Sequence, residues 1–391
     1  MFFVVTLLLA IVPSWITYAW AVSSFPWVAR RRRAFAVTLA SLPLVGGPLQ
    51  WIVAHTHSTF AGGAQAAIAV LFVTMGMTSI PLGLLHALLH ATLPQSVRRP
   101  SKAGRKGTGA TEGDIARRQI VEAGVGFALF GAAGSAVGWG MVRGRHAFEV
   151  RELAVRIQGL PRALDGYVIA QISDIHTGTH VGERELDEGL SLVRRARPDL
   201  VVVTGDLVDF DATFAPFIGR KLADLPARDG IFACLGNHDY YAGAESVVQA
   251  LRAAGITPLV DEGRVLRASD GGGFALLGVD DVASKRYGRS GPHLTRALSM
   301  VPPELPRILL SHQPPTVDAW AGQVALQLSG HTHGGQINPG GRTVNFLFEY
   351  VAGAYAVGAT TLYVNRGFGT VGPPVRVGVP PEVTRIILVA G

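Results

Sequence analysis

Five short polar clusters gather the carboxylates, imidazoles and carboxamide that could do chemistry: Asp174-Ile175-His176, Gly205-Asp206-Leu207-Val208-Asp209, Gly236-Asn237-His238-Asp239, Ser311-His312 and Gly330-His331-Thr332-His333. These are ligands for hard and borderline cations. A carboxylate has two oxygens, so one aspartate can bridge two ions. Two ions about 3.5–4 Å apart can stabilise both the attacking and the leaving oxygen of a phosphoryl displacement. Water on such an ion ionises near neutral pH, so hydrolysis needs no serine or cysteine nucleophile. The single cysteine, Cys234, sits in the apolar run Ile231–Leu235 and reads as a buried residue. It excludes an intrachain disulfide and a thiolate zinc site. Alone, an Asp-x-His is usually a solvated loop pair and a GNHD a turn. Five such clusters in one order favour a shared dimetal centre.

Each cluster follows an apolar, β-branched run, so each should lie where a buried strand ends. The runs are Tyr167–Ser173, Leu200–Thr204, Ile231–Leu235, Arg307–Ser311 and Val324–Ser329. Phe274–Val279, Thr361–Asn365 and Val383–Val389 are further strand candidates, and Gly271-Gly272-Gly273 reads as a hairpin turn. Helices are expected over Glu183–Ala196, where Leu186, Leu190 and Val193 share one side, and over Ala244–Ala254. Strands alternating with helices predict an α/β domain with covered sheets and a site at the carboxyl ends of strands. Unbroken apolar runs suit strands buried on both faces. Gly205, Gly236 and Gly330 are expected in tight turns that release each ligand.

Together, DxH, GDxxD, GNHD, a later His and GHxH resemble the calcineurin-like metallophosphoesterases over roughly residues 165–391. Ser173–Gly178 (SDIHTG), His331–Gln336 (HTHGGQ) and Asn365–Gly369 (NRGFG) resemble the membrane-associated phosphodiesterase branch, including transmembrane proteins with a metallophosphoesterase domain. The resemblance implies a four-layer α-β-β-α sandwich and two divalent ions, with Mn, Fe or Zn as the expected metals. It implies Asp174, His176 and His333 on the first ion, Asp206 as bridge, and Asn237, His312 and His331 on the second. It gives His238 the part of a non-ligand histidine that protonates the leaving group or hydrogen-bonds a phosphate oxygen. Asp239 is expected to orient His238, Asp209 to be structural or to support a site side chain from behind, and Arg366 to bind a phosphate or shape the cleft. His180 and His293 fall outside the pattern and are expected at the surface.

Residues 1–146 are of another kind. Nearly half the chain (48%) is hydrophobic and its mean hydropathy is +0.31, high for a wholly soluble protein. Apolar segments near 2–22, 34–54, 66–93 and 120–142 predict about four membrane helices. Glu122 and several glycines fall in the last of them, and His86 and His90 share a face of the third. The first 146 residues carry net +10 and the remainder −3, so the high pI belongs to the membrane part and does not predict nucleic-acid binding. Arg30–Arg33 and the basic loop 94–118 predict cytoplasmic loops. The domain at 147–391 would then lie on the extracytoplasmic side of the cell membrane. Phe346-Leu347-Phe348 with Tyr350 forms either an apolar lip or a packed segment. The expected function is a membrane-anchored phosphodiesterase acting through a bridging hydroxide, with a phosphate-ester substrate at or near the bilayer, lipid-linked esters included. The alternative is a membrane sensor that binds phosphorylated ligands without turnover.

Overall fold

A computed structural model describes residues 2–56, 59–91, 112–178, 180–341 and 348–391. Its contacts divide the chain into residues 1–139 and 140–391.

The first unit is helical, with long helices Phe2–Ser24, Arg32–Thr56, Thr59–Ala91 and Glu112–Val142. Four membrane spans are expected from the sequence. Among the described residues two stretches are long and apolar enough, Gly63–Leu89 and Gln119–His146. They coincide with the expected third and fourth spans. The expected spans near 2–22 and 34–54 run through residues 2–10 and 46–54, whose side chains lie outside the described residues, as does most of the basic loop 94–118. Glu122, the charge that weakens the fourth span, is fully buried and lies 2.5 Å from His86 Nδ1. A paired carboxylate is how an ionisable group is tolerated among apolar helices. Trp20 Nε1 donates to the Glu122 carbonyl at 2.9 Å.

Among its described residues the second unit has twelve strands: β1 Glu149–Ile157, β2 Val168–Ile172, β3 Leu200–Thr204, β4 Ile231–Cys234, β5 Thr257–Pro258, β6 Glu262–Arg267, β7 Gly273–Gly278, β8 Arg307–Leu310, β9 Leu326–Ser329, β10 Gly353–Val357, β11 Thr360–Val364 and β12 Glu382–Ala390. They form two mixed six-stranded sheets, ordered β1-β12-β2-β3-β4-β5 and β10-β11-β9-β8-β7-β6. Ile169, Leu200 and Val202 of the first sheet pack against Leu276, Ile308, Leu310 and Leu328 of the second. The alternate residues Ala170, Ile172, Val201 and Val203 face Leu186, Leu190 and Val193 of the helix Glu183–Ala196. Ala275, Leu277 and Leu309 face Leu294 and Ala297 of the helix Leu294–Leu298. Both faces of the central strands are therefore covered, which is why their sequences do not alternate. The layering is helix, sheet, sheet, helix, as expected.

β2, β3 and β4 run parallel in one sheet, and β7, β8, β9 and β11 in the other. Five of these strands (β2, β3, β4, β8 and β9) end at or one residue short of the five polar clusters. β6 and β7 form the expected hairpin around the glycine run. β1 is absent from the sequence reading. Its residues EVRELAVRI carry four charges in nine positions, because it is an exposed sheet edge.

Candidate metal centre

The strand ends bring the clusters together through backbone ties. The Asp174 N–H donates to the Gly205 carbonyl and the His176 N–H to that of Asp206, each at 3.0 Å. The Gly330 N–H reaches the His312 carbonyl at 3.0 Å, which ties β9's loop to β8's. Asp174, His176, Asp206, His331 and His333 all adopt positive φ, between 50° and 72°. Each is a candidate ligand, and non-glycine residues enter this region at a cost of about 1–3 kcal/mol each. The fold thus holds them in strained conformations that direct their side chains to one point. Gly205 also has positive φ (86°), as a tight turn requires. Gly236 and Gly330 are needed for another reason. A Cβ on Gly236 would strike the Asp206 carboxylate, and one on Gly330 would strike Ser173 and Asp174.

All the candidate ligands are buried or nearly so. Donor atoms of Asp174, His176 and His333 lie within 4.8 Å of one another, and so do those of Asp206, His312 and His331. His176 Nε2 is 3.0 Å from His333 Nε2, and His333 Nε2 is 3.4 Å from Asp174 Oδ1. In the second group, His312 Nδ1 donates to the Thr204 carbonyl at 2.8 Å. In the neutral imidazole, the form that can ligate, that bond leaves Nε2 as the lone-pair atom. It lies 3.2 Å from Asn237 Oδ1, 3.2 Å from His331 Nδ1 and 3.2 Å from Asp206 Oδ2. Asp206 Oδ2 is also 3.6 Å from His176 Nε2, so this aspartate lies between the two groups. Carboxylate, carboxamide and imidazole donor atoms converge here in two adjoining groups. Oxygen and imidazole donors in this arrangement fit two divalent cations.

Burial opposes charge throughout; neighbouring charges outweigh it at Asp206, Asp209, His238 and His312, and burial prevails at Asp174, His331 and His333. Burial would raise the Asp206 pKa, yet the charges of His312 and His238 hold it well below the carboxylate range. Burial would lower His312, yet Asp206 holds it well above its ordinary value. His331 is pushed down to about 3 by burial and by His312. A neutral His331 is the form that can ligate.

Asp239 departs from the role expected from sequence, and Asp209 keeps its own as a carboxylate that supports site histidines. Asp239 does not orient His238. Its carboxylate accepts from the backbone N–H groups of Asp206 (3.0 Å), Leu207 (2.9 Å), Val208 (3.3 Å) and Gly236 (2.9 Å). Consecutive residues of the helix Asn237–Ala242 point in different directions, so the neighbour of His238 cannot face it. Asp209 takes that place. His238 Nδ1 donates to the Asp209 carbonyl at 3.0 Å and lies 3.1 Å from its carboxylate. Burial would raise the Asp209 pKa, but bonding to His176 and His238 brings it to about 2. Burial would lower His238, but Asp206 and Asp209 raise it to about 9.

Asp239 is therefore a staple of the β3 and β4 loops, and its loss leaves four buried donors without an acceptor. Asp239→Ala is expected to lower Tm by about 10 °C, the equivalent of roughly 3 kcal/mol in a domain of this size. A thermal unfolding curve reads this directly; an unchanged Tm contradicts the assignment.

The phosphate-binding expectation for Arg366 does not survive. Its Nε lies 2.5 Å from Glu382 Oε2 and its Nη2 3.0 Å from Glu149 Oε2, so two carboxylates already take its charge. The guanidinium that does face the centre belongs to Arg376, which sequence reasoning missed. It is 1% exposed and donates to the carbonyls of Arg366, Gly367, Gly369 and Val379, with Nη2 3.4 Å from His333 Nδ1. Burial lowers its pKa to about 9. The only signal in the sequence is a lone arginine inside the apolar run Val375-Arg376-Val377. His180 is half-buried, with its carbonyl bonded to Arg145 at 3.3 Å, and His293 is exposed. Phe346 and Leu347 lie outside the described residues, while Tyr350 donates to Asp318 at 2.8 Å.

Residues 167–335 match the calcineurin-like phosphoesterase family. The transmembrane protein with metallophosphoesterase domain of Danio rerio is 33% identical over 261 residues, 64% of this chain and 59% of that protein. Its Bos taurus counterpart is 35% identical over 258 residues, 62% of this chain and 57% of that protein. The chain thus spans less than two thirds of the length of these two relatives. An uncharacterized metallophosphoesterase of Bacillus subtilis is 31% identical over 286 residues, 69% of this chain and 96% of that protein. Near-complete coverage of that bacterial relative, on a fold whose strand ends carry every one of the five clusters, shows that the chain belongs to the calcineurin-like metallophosphoesterase family.

Proposed function

We propose that this protein is a membrane-anchored, metal-dependent phosphodiesterase. The observation that carries the reading is the convergence of Asp174, His176, His333, Asp206, Asn237, His312 and His331 at the ends of parallel strands. Divalent cations bound there would supply Lewis-acid stabilisation of the phosphoryl oxygens and acidify water. Asp206 would bridge the two sets of ligands. His312, fixed by Thr204, would present Nε2 to one of them. His238 would donate its proton to the leaving ester oxygen, with Asp209 holding Nδ1 so that Nε2 carries the proton to be given. Arg376 would hold the ring of His333 in place and brace the Arg366–Gly369 loop.

Anchoring is supported by the two apolar helices and by the transmembrane relatives. The cationic loops favour an extracytoplasmic domain. A tethered domain favours phosphodiesters at or near the bilayer, lipid-linked ones included. The test is turnover by the full-length protein after loading with Mn²⁺, Fe²⁺ or Zn²⁺, on matched aryl mono- and diesters. Metal-dependent hydrolysis favouring the diester is expected; metal uptake without turnover of either would contradict the reading. Labelling a cysteine placed on a domain loop in intact cells tests the topology, and protection from an impermeant reagent would overturn it.

A further inference from the structure

Phe210 and Tyr241 are large apolar residues left in water beside His238. They are 37% and 38% exposed. The same two chain segments place Leu207, Val208 and Tyr240 in the buried core, so the fold had apolar residues available for packing without these two. Both rings touch the His238 ring, at centroid distances of 4.8 Å for Phe210 and 5.0 Å for Tyr241, each inclined at 55°. They lie 6.1 Å from each other and nearly parallel, at 9°. His176 meets the same imidazole edge-on at 4.6 Å.

Their positions are fixed to the centre by chain connectivity. Phe210 directly follows Asp209, which holds His238 Nδ1. Tyr241 stands three residues after His238 on the helix Asn237–Ala242, the spacing that puts two side chains on one face. A group leaving from phosphorus toward His238 therefore departs alongside two exposed aromatic faces. Such faces bind flat rings by stacking and tolerate many ring types.

Resting on the phosphodiesterase reading above, we propose that Phe210 and Tyr241 form a leaving-group subsite that selects phosphate esters whose departing alcohol carries a planar ring. The subsite would contribute to kcat/KM through the ring and not through the phosphate.

The test uses the full-length, Mn²⁺-loaded protein and two symmetrical diesters with leaving alcohols of matched acidity, dibenzyl phosphate and bis(2-methoxyethyl) phosphate. The wild type should prefer the benzyl ester by about ten-fold or more in kcat/KM, the size expected of one stacking contact. Phe210→Ala and Tyr241→Ala should each bring that preference toward unity, while Tyr241→Phe should keep it. A purely structural part, in which the rings only pack His238, predicts equal losses on both diesters. That outcome, or a wild type without preference, overturns the proposal. If neither diester is hydrolysed, the phosphodiesterase reading fails by itself. Calorimetric affinities for benzyl and 2-methoxyethyl phosphate then decide the subsite. Tighter benzyl binding that Tyr241→Ala removes sustains it, and equal affinities overturn it.

Discussion

Asp206→Asn should fold normally and lose its bound metal together with at least about 10³-fold of its turnover. The substitution keeps the shape of the side chain and an oxygen for the His238 N–H, which donates to Asp206 Oδ1 at 2.8 Å. It removes the charge that lies between His312 and His176. With its one oxygen kept by that N–H, a carboxamide places an NH2 group where Oδ2 lies between the two sets of ligands. If cation stabilisation of the transition state amounts to several kcal/mol, its loss gives that order of rate decrease. Elemental analysis and a melting curve on the same preparation check the result. Full metal content with low activity would place Asp206 outside the ligand set.

His238→Gln should behave in the opposite way. Metal content should stay at the wild-type level while kcat falls by about 10²–10⁴, the usual contribution of a positioned acid. The loss should depend on the ester. A leaving group that departs readily as an anion, such as p-nitrophenolate, needs little protonation, and its turnover should suffer least. An alkoxide needs the proton, and its turnover should suffer most. Uniform loss across leaving groups would assign His238 to phosphate binding. An unaffected variant would favour a binder that performs no chemistry.

The sequence made the central strands and the ligand clusters legible for one physical reason. A strand covered on both faces must be apolar without interruption, so Leu200–Thr204 stands out, and the first polar residue after it marks the strand end. The observed helix Glu183–Ala196 has the expected bounds because Leu186, Leu190 and Val193 repeat at helical spacing and Arg194 and Arg195 suit its C-terminal turn. Edge elements were hidden. β1 interrupts its apolar residues with four charges, and β10 (GAYAV) is short and only partly buried.

At the site, adjacency in sequence misled where direction in space decides. Asp239 follows His238 but turns away from it into four backbone donors. Asp209 comes from the preceding cluster and meets His238 across the loops. The two arginines were interchanged for a similar reason. Arg366 lies in a conspicuous motif, yet Glu149 and Glu382 neutralise it. Arg376 lies in an apolar run, and only the fold brings it to His333. The exposed pair Phe210 and Tyr241 could not be separated by type from the buried Tyr240 next in line.

The most direct measurement of the central claim is anomalous diffraction from crystals of the Mn²⁺-loaded full-length protein. Two peaks are expected, one touching Asp174, His176 and His333 and the other touching Asn237, His312 and His331, with an oxygen of Asp206 beside both. No peak at these residues, or a single one that leaves Asp206 without a metal contact, would contradict the account.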